Sequence, residues 1–75
     1  MVVLITGISS GFGRAMAQRL SAEGHTVYGT HRNAGERIPG VTYLKADITD
    51  EEQVYATVDT VLQKEGRIDV STLPF

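Results

Sequence analysis

Thr6-Gly7-Ile8-Ser9-Ser10-Gly11-Phe12-Gly13 follows an apolar stretch, Val2-Val3-Leu4-Ile5, and opens onto a helical pattern. Strand, glycine-rich turn and helix in that order form the arrangement that cradles a pyrophosphate. Each small residue has a physical task. Gly7 permits a tight turn out of the strand. Gly11 lets backbone approach a ligand with no side chain between them, and Gly13 lets the helix pack closely on the sheet. Backbone N–H groups at a helix start can point at phosphate oxygens. Ser9 and Ser10 add hydroxyl donors of short reach. A glycine-rich turn can also be purely structural, but an apolar strand before it and a helix after it favour nucleotide binding. The phosphate-binding motif of NTPases is disfavoured, because no Gly-Lys-Ser/Thr follows.

The rest of the chain fits the same architecture. Val2 to Thr6 reads as a parallel strand covered on both faces. Phe12, Ala15, Met16 and Leu20 recur at helical spacing, and Gly24 suits the residue past the helix end. Thr26 to Thr30 predicts a second strand. Asn33 to Gly40 holds two glycines and a proline, and reads as loop or a single helical turn. Val41 to Ala46 is a third strand. A second helix follows, capped either by Thr49 with Glu52 or by Asp50 with Gln53. Val54, Val58, Val61 and Leu62 form its apolar face, and Gly66 ends it. Ile68-Asp69-Val70 begins a fourth strand, and Ser71 to Phe75 carries no signal. Alternating strands and helices predict an α/β fold: a three-layer, partial doubly wound parallel sheet of about four strands with right-handed crossovers.

Size and charge narrow the function. Seventy-five residues make one small domain at most, of marginal stability, and no cysteine is present to staple it. The same lack removes thiolate metal ligands and a cysteine nucleophile, and fits a reducing cytoplasm. A net charge of −2 with scattered Arg and Lys argues against a nucleic-acid partner. No apolar run approaches the roughly 20 residues that span a bilayer. Met1 to Ile5 is too short for a signal-peptide core. No His or carboxylate cluster has metal-ligand spacing. His25 reads as a solvated turn residue. Tyr28, Tyr43 and Tyr55 read as packing residues with a polar tip.

The turn is spaced G-x-x-x-G-x-G, and with Thr6 in front TGISSGFG closely resembles the cofactor turn of the short-chain dehydrogenase/reductase family. The resemblance continues through RAMAQRLSAEGHTVYGTHRN, KADITD and EGRIDV, from Met1 to about Val70. The extended, epimerase-like branch spaces its turn TGxxGxxG, unlike this chain. The resemblance implies a Rossmann-type sheet of order 3-2-1-4. Residues 1–75 would be the N-terminal part of a single NAD(P)-binding Rossmann domain. The complete protein would transfer hydride between NADP(H) and a carbonyl or alcohol. Thr6, Gly7, Ser9, Ser10, Gly11, Phe12 and Gly13 would hold the cofactor.

Cofactor choice turns on the end of the second strand. In an NAD-binding Rossmann fold an Asp or Glu about 20 residues past the turn holds the ribose 2′-hydroxyl. Here the strand ends Thr30-His31-Arg32, with no carboxylate. An Arg pairs bidentately with a 2′-phosphate. Arg32 is similar to the NADP-selecting Arg of the family, and His31 falls where NAD-preferring members often carry Asp. The resemblance therefore implies NADP rather than NAD; the alternative is that Arg32 is a solvated surface side chain. It also implies that Asp47 accepts the adenine amino group, with the Ile48 backbone alongside. Without it, Asp47 reads as a turn or capping residue.

The family's catalytic Tyr-x-x-x-Lys pair and Ser lie beyond position 75, so no catalytic residue is expected here. No tyrosine of this chain has a Lys four positions later. The family would continue the fourth strand into Asn-Asn-Ala-Gly, where this chain reads Ser71-Thr72-Leu73-Pro74-Phe75. The expectation is a truncated or frame-shifted reading of a longer gene, inactive alone, with a small-molecule substrate only in the complete parent. Two alternatives stand beside it: a non-catalytic NADP-binding module, and a nonfunctional remnant that does not fold stably. An unprotected fourth strand would favour self-association.

Overall fold

The computed structural model describes residues 1–9, 11–32 and 37–72. The elements run β1 (Val2–Ile5), α1 (Gly11–Ala22), β2 (Thr26–His31), β3 (Val41–Lys45), α2 (Glu51–Glu65) and β4 (Val70–Ser71). Every strand pairing is parallel, and the order is β3-β2-β1-β4. Of the readings above, Ser10 and most of the connection after Arg32 lie outside the described residues.

Alternation along β1 divides the core into two layers. Val2 and Leu4 pack with Tyr28, Val54 and Val61 on the α2 side of the sheet. Val3 and Ile5 pack with Ile8, Ala17, Val27 and Ile38 on the α1 side. All four β1 residues are buried, as a central parallel strand covered on both faces requires.

Two helix faces differ from the expectation. In α1, Phe12 is 79% exposed, and the packed side is Gly13, Met16, Ala17 and Leu20. Gly13 meets the end of β1, and a period of 3.6 residues then carries Met16, Ala17 and Leu20 onto the sheet and Phe12 off it. In α2, Leu62 is 42% exposed while Thr57 is buried between Val54 and Val61. Thr57 tolerates burial because its hydroxyl donates to the Gln53 carbonyl at 2.8 Å.

Caps decide the helix ends. Asp50, in the β region, is the N-cap of α2 and accepts from the Glu52 N–H. Gln53 bridges this cap: its amide donates to Asp50 Oδ2, and its Oε1 accepts the Asp47 N–H at 2.8 Å. Thr49 is not the cap, because its hydroxyl donates to Asp47 Oδ1. Gly66 closes α2 in the left-handed conformation.

The fourth strand begins at Val70 rather than at Ile68. Asp69 holds the chain to β1 just before it. Its carboxylate accepts the Val2 N–H at 2.7 Å, and its own N–H donates to the Val2 carbonyl at 2.9 Å.

Candidate functional site

The turn after β1 is built by four close contacts. Gly7 and Gly11 both have positive φ, +66° and +64°, which L side chains rarely adopt. The Gly7 N–H donates to Thr30 Oγ1 at 3.2 Å, and the Ile8 N–H to the Thr30 carbonyl at 3.1 Å. Ile8 is fully buried and lies over Gly29, where an added Cβ would sit 2.2 Å from Ile8 Cδ1. At Gly13 an added Cβ would stand 2.3 Å from the Gly7 carbonyl oxygen and 2.9 Å from that of Thr6. The close approach at Gly13 is therefore to the turn's own backbone, more intimate than packing on the sheet.

Beside this turn a cavity of about 300 Å³ opens at the C-terminal ends of β1, β2 and β3. Gly7, Ser9, Thr30, His31, Arg32, Ala46 and Ile48 line it. Five of the sequence-predicted residues thus share one wall: Gly7, Ser9, His31, Arg32 and Ile48. Thr6, Gly11, Phe12 and Gly13 do not line it. Thr6 instead bonds the β4 side, its N–H donating to Thr72 Oγ1 at 2.8 Å. Two lining residues escaped the sequence reading, Thr30 and Ala46. Thr30 carries a signal: it is the strand residue next to the chosen His31, and a hydroxyl there can hold the glycine turn.

Asp47 reaches the cavity through Arg32, whose guanidinium lies 3.6 Å from Asp47 Oδ2. The Arg32 side chain is 72% exposed, so this pair is weak in water. The Thr49 hydroxyl and N–H, at 2.7 and 2.9 Å, hold the Asp47 carboxyl below the usual carboxylate range, and Arg32 adds a smaller push the same way.

His31 is 7% exposed, with its ring edge toward Tyr43 at 5.5 Å between centroids. Its Nδ1 is buried and has no hydrogen-bond partner. Burial pushes its pKa down, and the nearby charges of Arg37 and Lys45 add to the effect. His31, the exposed Arg32 guanidinium and the positive-φ Gly7 line one concavity, a set of groups whose charge and backbone geometry suit an anionic ligand. Among the described residues, no group of three or more His, Asp or Glu could hold a metal, and no helix is long and apolar enough to cross a membrane.

Comparison with known proteins agrees with this geometry. The family model described as short chain dehydrogenase matches residues 1–71. A 3-ketodihydrosphingosine reductase of Bacteroides thetaiotaomicron is 46% identical over 69 residues, which are 92% of this chain and 26% of that protein. The fold superposes on a C-terminal deletion mutant of Thermoplasma acidophilum aldohexose dehydrogenase with a TM-score of 0.85 at 33% identity, over 93% of this chain and 30% of that one. It also superposes on a Brucella melitensis 3-ketoacyl-(acyl-carrier-protein) reductase complexed with NADH, with a TM-score of 0.80 at 38% identity, over 93% of this chain and 32% of that one. The chain thus spans between a quarter and a third of the length of these relatives.

Proposed function

The chain belongs to the short chain dehydrogenase family, and from that premise we propose that it carries the adenosine and phosphate half of an NADP(H) site. The complete oxidoreductase would exchange hydride between that cofactor and a carbonyl or alcohol substrate. When bound, the nicotinamide supplies the hydride chemistry. This chain's own residues bind and orient the other end.

The observation that carries the reading is Arg32 at the cavity mouth, exposed and tied only weakly to Asp47. A 2′-phosphate offers the guanidinium a stronger, bidentate partner than one carboxylate oxygen at 3.6 Å. With Arg32 so engaged, Asp47 would be left to hold the adenine amino group, beside Ile48 of the cavity wall. Ser9 and the glycine turn would hold the phosphates. The 75 residues hold no Tyr-x-x-x-Lys, so on this reading they turn over no substrate alone. The relatives are named for a 3-ketodihydrosphingosine, an aldohexose and a 3-ketoacyl chain, which share no more than the carbonyl/alcohol class.

One observation favours a second reading, NAD: the Brucella relative is complexed with NADH. Calorimetric titration of the chain with NADP⁺ and NAD⁺ decides between them. NADP⁺ is expected to bind at least about tenfold tighter, a difference of about 1.4 kcal/mol. Arg32→Ala is expected to remove most of that preference while leaving NAD⁺ affinity within about twofold. Equal affinity for both dinucleotides in the unmodified chain contradicts the NADP reading.

A further inference from the structure

We propose that His31 is a second, proton-dependent contact for the cofactor's 2′-phosphate, so that a phosphomonoester dianion beside Arg32 is bound together with a proton on this imidazole. The inference rests on the NADP reading above and goes beyond it by assigning His31 a role that Arg32 does not share.

Its basis is geometric. His31 and Arg32 are consecutive residues at the end of β2, and both line the cavity. His31 is buried, and its Nδ1 is the buried side-chain polar atom left without a partner among the described residues. Such a group is costly unless a partner reaches it on binding. The ring cannot swing away freely, because Tyr43 packs against its edge. Tyr43 is itself fixed: its hydroxyl accepts the Ile38 N–H at 2.8 Å, and Arg37 lies over its ring at 4.8 Å.

The charges around His31 set the sign. Among the described residues, Arg37 from the segment before β3 and Lys45 at the end of β3 both disfavour a positive imidazole, as does burial. Tyr43 on β3 is uncharged near neutrality. At the cavity mouth Arg32 and Asp47 offset each other as an ion pair. A dianion entering at Arg32 reverses this balance, because an opposite charge at close range favours the charged form of His. Proton uptake on the ring then strengthens phosphate binding by linkage. A ligand without the 2′-phosphate lacks that dianion at Arg32.

The test follows the imidazole resonances of the chain's two histidines, His25 and His31, from pH 5 to 8.5. Spectra are taken without ligand, with adenosine 2′-monophosphate and with adenosine 5′-monophosphate. The His31 midpoint is expected below about 6.5 without ligand and higher by about one pH unit with the 2′-phosphate, which corresponds to about tenfold tighter binding to the protonated form. Reading the ring directly matters, because the phosphate itself titrates near pH 6. His31→Gln is expected to abolish the pH dependence that this ring contributes to 2′-phosphate affinity. If that variant does not fold, the titration of the unmodified chain decides alone. Binding at Gly7, Arg32 and Ile48 with an unmoved His31 midpoint overturns the inference and leaves the NADP reading intact. An equal rise with the 5′-phosphate also overturns it. No binding of the 2′-phosphate overturns both.

Discussion

Gly13→Ala tests how the turn is built. Its Cβ would sit 2.3 Å from the Gly7 oxygen and 2.9 Å from the Thr6 oxygen. Both neighbours are backbone of the turn just after β1, which the Gly7 and Ile8 N–H bonds to Thr30 hold in place, so neither rotates aside freely. The start of α1 would have to lift by about 1 Å to restore ordinary contact distances of about 3.5 Å. Overpacking of this kind costs about 1–3 kcal/mol, and rigid backbone puts Gly13 toward the upper end. Alanine returns about 1 kcal/mol of helix propensity. The net loss is about 1–2 kcal/mol, against about 3–5 kcal/mol for a core of this size. The midpoint of thermal unfolding, followed by circular dichroism, should fall by about 5–15 °C. Gly24→Ala is the control, because Gly24 has φ +89° but open space around its missing Cβ. It should cost backbone strain alone, about 1 kcal/mol. A Gly13→Ala chain as stable as the unmodified one refutes the close approach.

Two further outcomes follow from contacts in the same layers. Gly29→Ala should destabilise by about 2 kcal/mol in urea unfolding, because its Cβ meets Ile8 side-chain carbons at 2.2–2.8 Å. Combined with Ile8→Val, the total should fall short of the sum by about 0.5–1 kcal/mol, and strict additivity argues against the contact. Tyr28 donates to Glu65 Oε2 at 2.6 Å, which with burial raises its pKa from 10.0 to about 12. The folded chain thus prefers the protonated phenol more than the unfolded chain does. The stability this adds is present below about pH 10 and lost as pH rises toward 12. Tyr28→Phe should cost about 1 kcal/mol at pH 7 and flatten the alkaline loss; an unchanged slope above pH 10 contradicts the assignment.

Much of this architecture was legible because its signals are local. The apolar run Val2 to Ile5, β-branched except at Leu4, announces a strand buried on both faces, and Gly7, Gly24 and Gly66 stand where positive φ is needed. The strand order and the opposite placement of the two helices followed from the family resemblance and the alternating pattern. What escaped depends on three-dimensional neighbours. Ile8 looks like a spacer between glycines, yet it is a core residue, because Gly29 on β2 vacates the space it fills. Phe12 has the right spacing for the buried face but lies one position ahead of it, since Gly13 sets the phase of α1. Thr57, not Leu62, is buried on α2, and its hydroxyl looks polar in the sequence because its bond to the Gln53 carbonyl exists only in the folded helix. Ile38, in an irregular segment with no periodicity to betray it, is 5% exposed. At the site, Arg32, Asp47 and His31 were each visible, but the ion pair joining two of them and the isolation of the third were not.

On the proposed function, one wall from the glycine turn to Ile48 receives a 2′-phosphorylated dinucleotide. A two-dimensional ¹⁵N–¹H spectrum of the chain, titrated with NADP⁺ and separately with NAD⁺, tests it most directly. Dispersed resonances are expected, in which Gly7, Ser9, Arg32 and Ile48 move with NADP⁺, while Lys64 near the end of α2 and Arg67 just past it stay still. A dispersed spectrum in which those four resonances ignore NADP⁺, or a collapsed spectrum with no fold to report on, would contradict it.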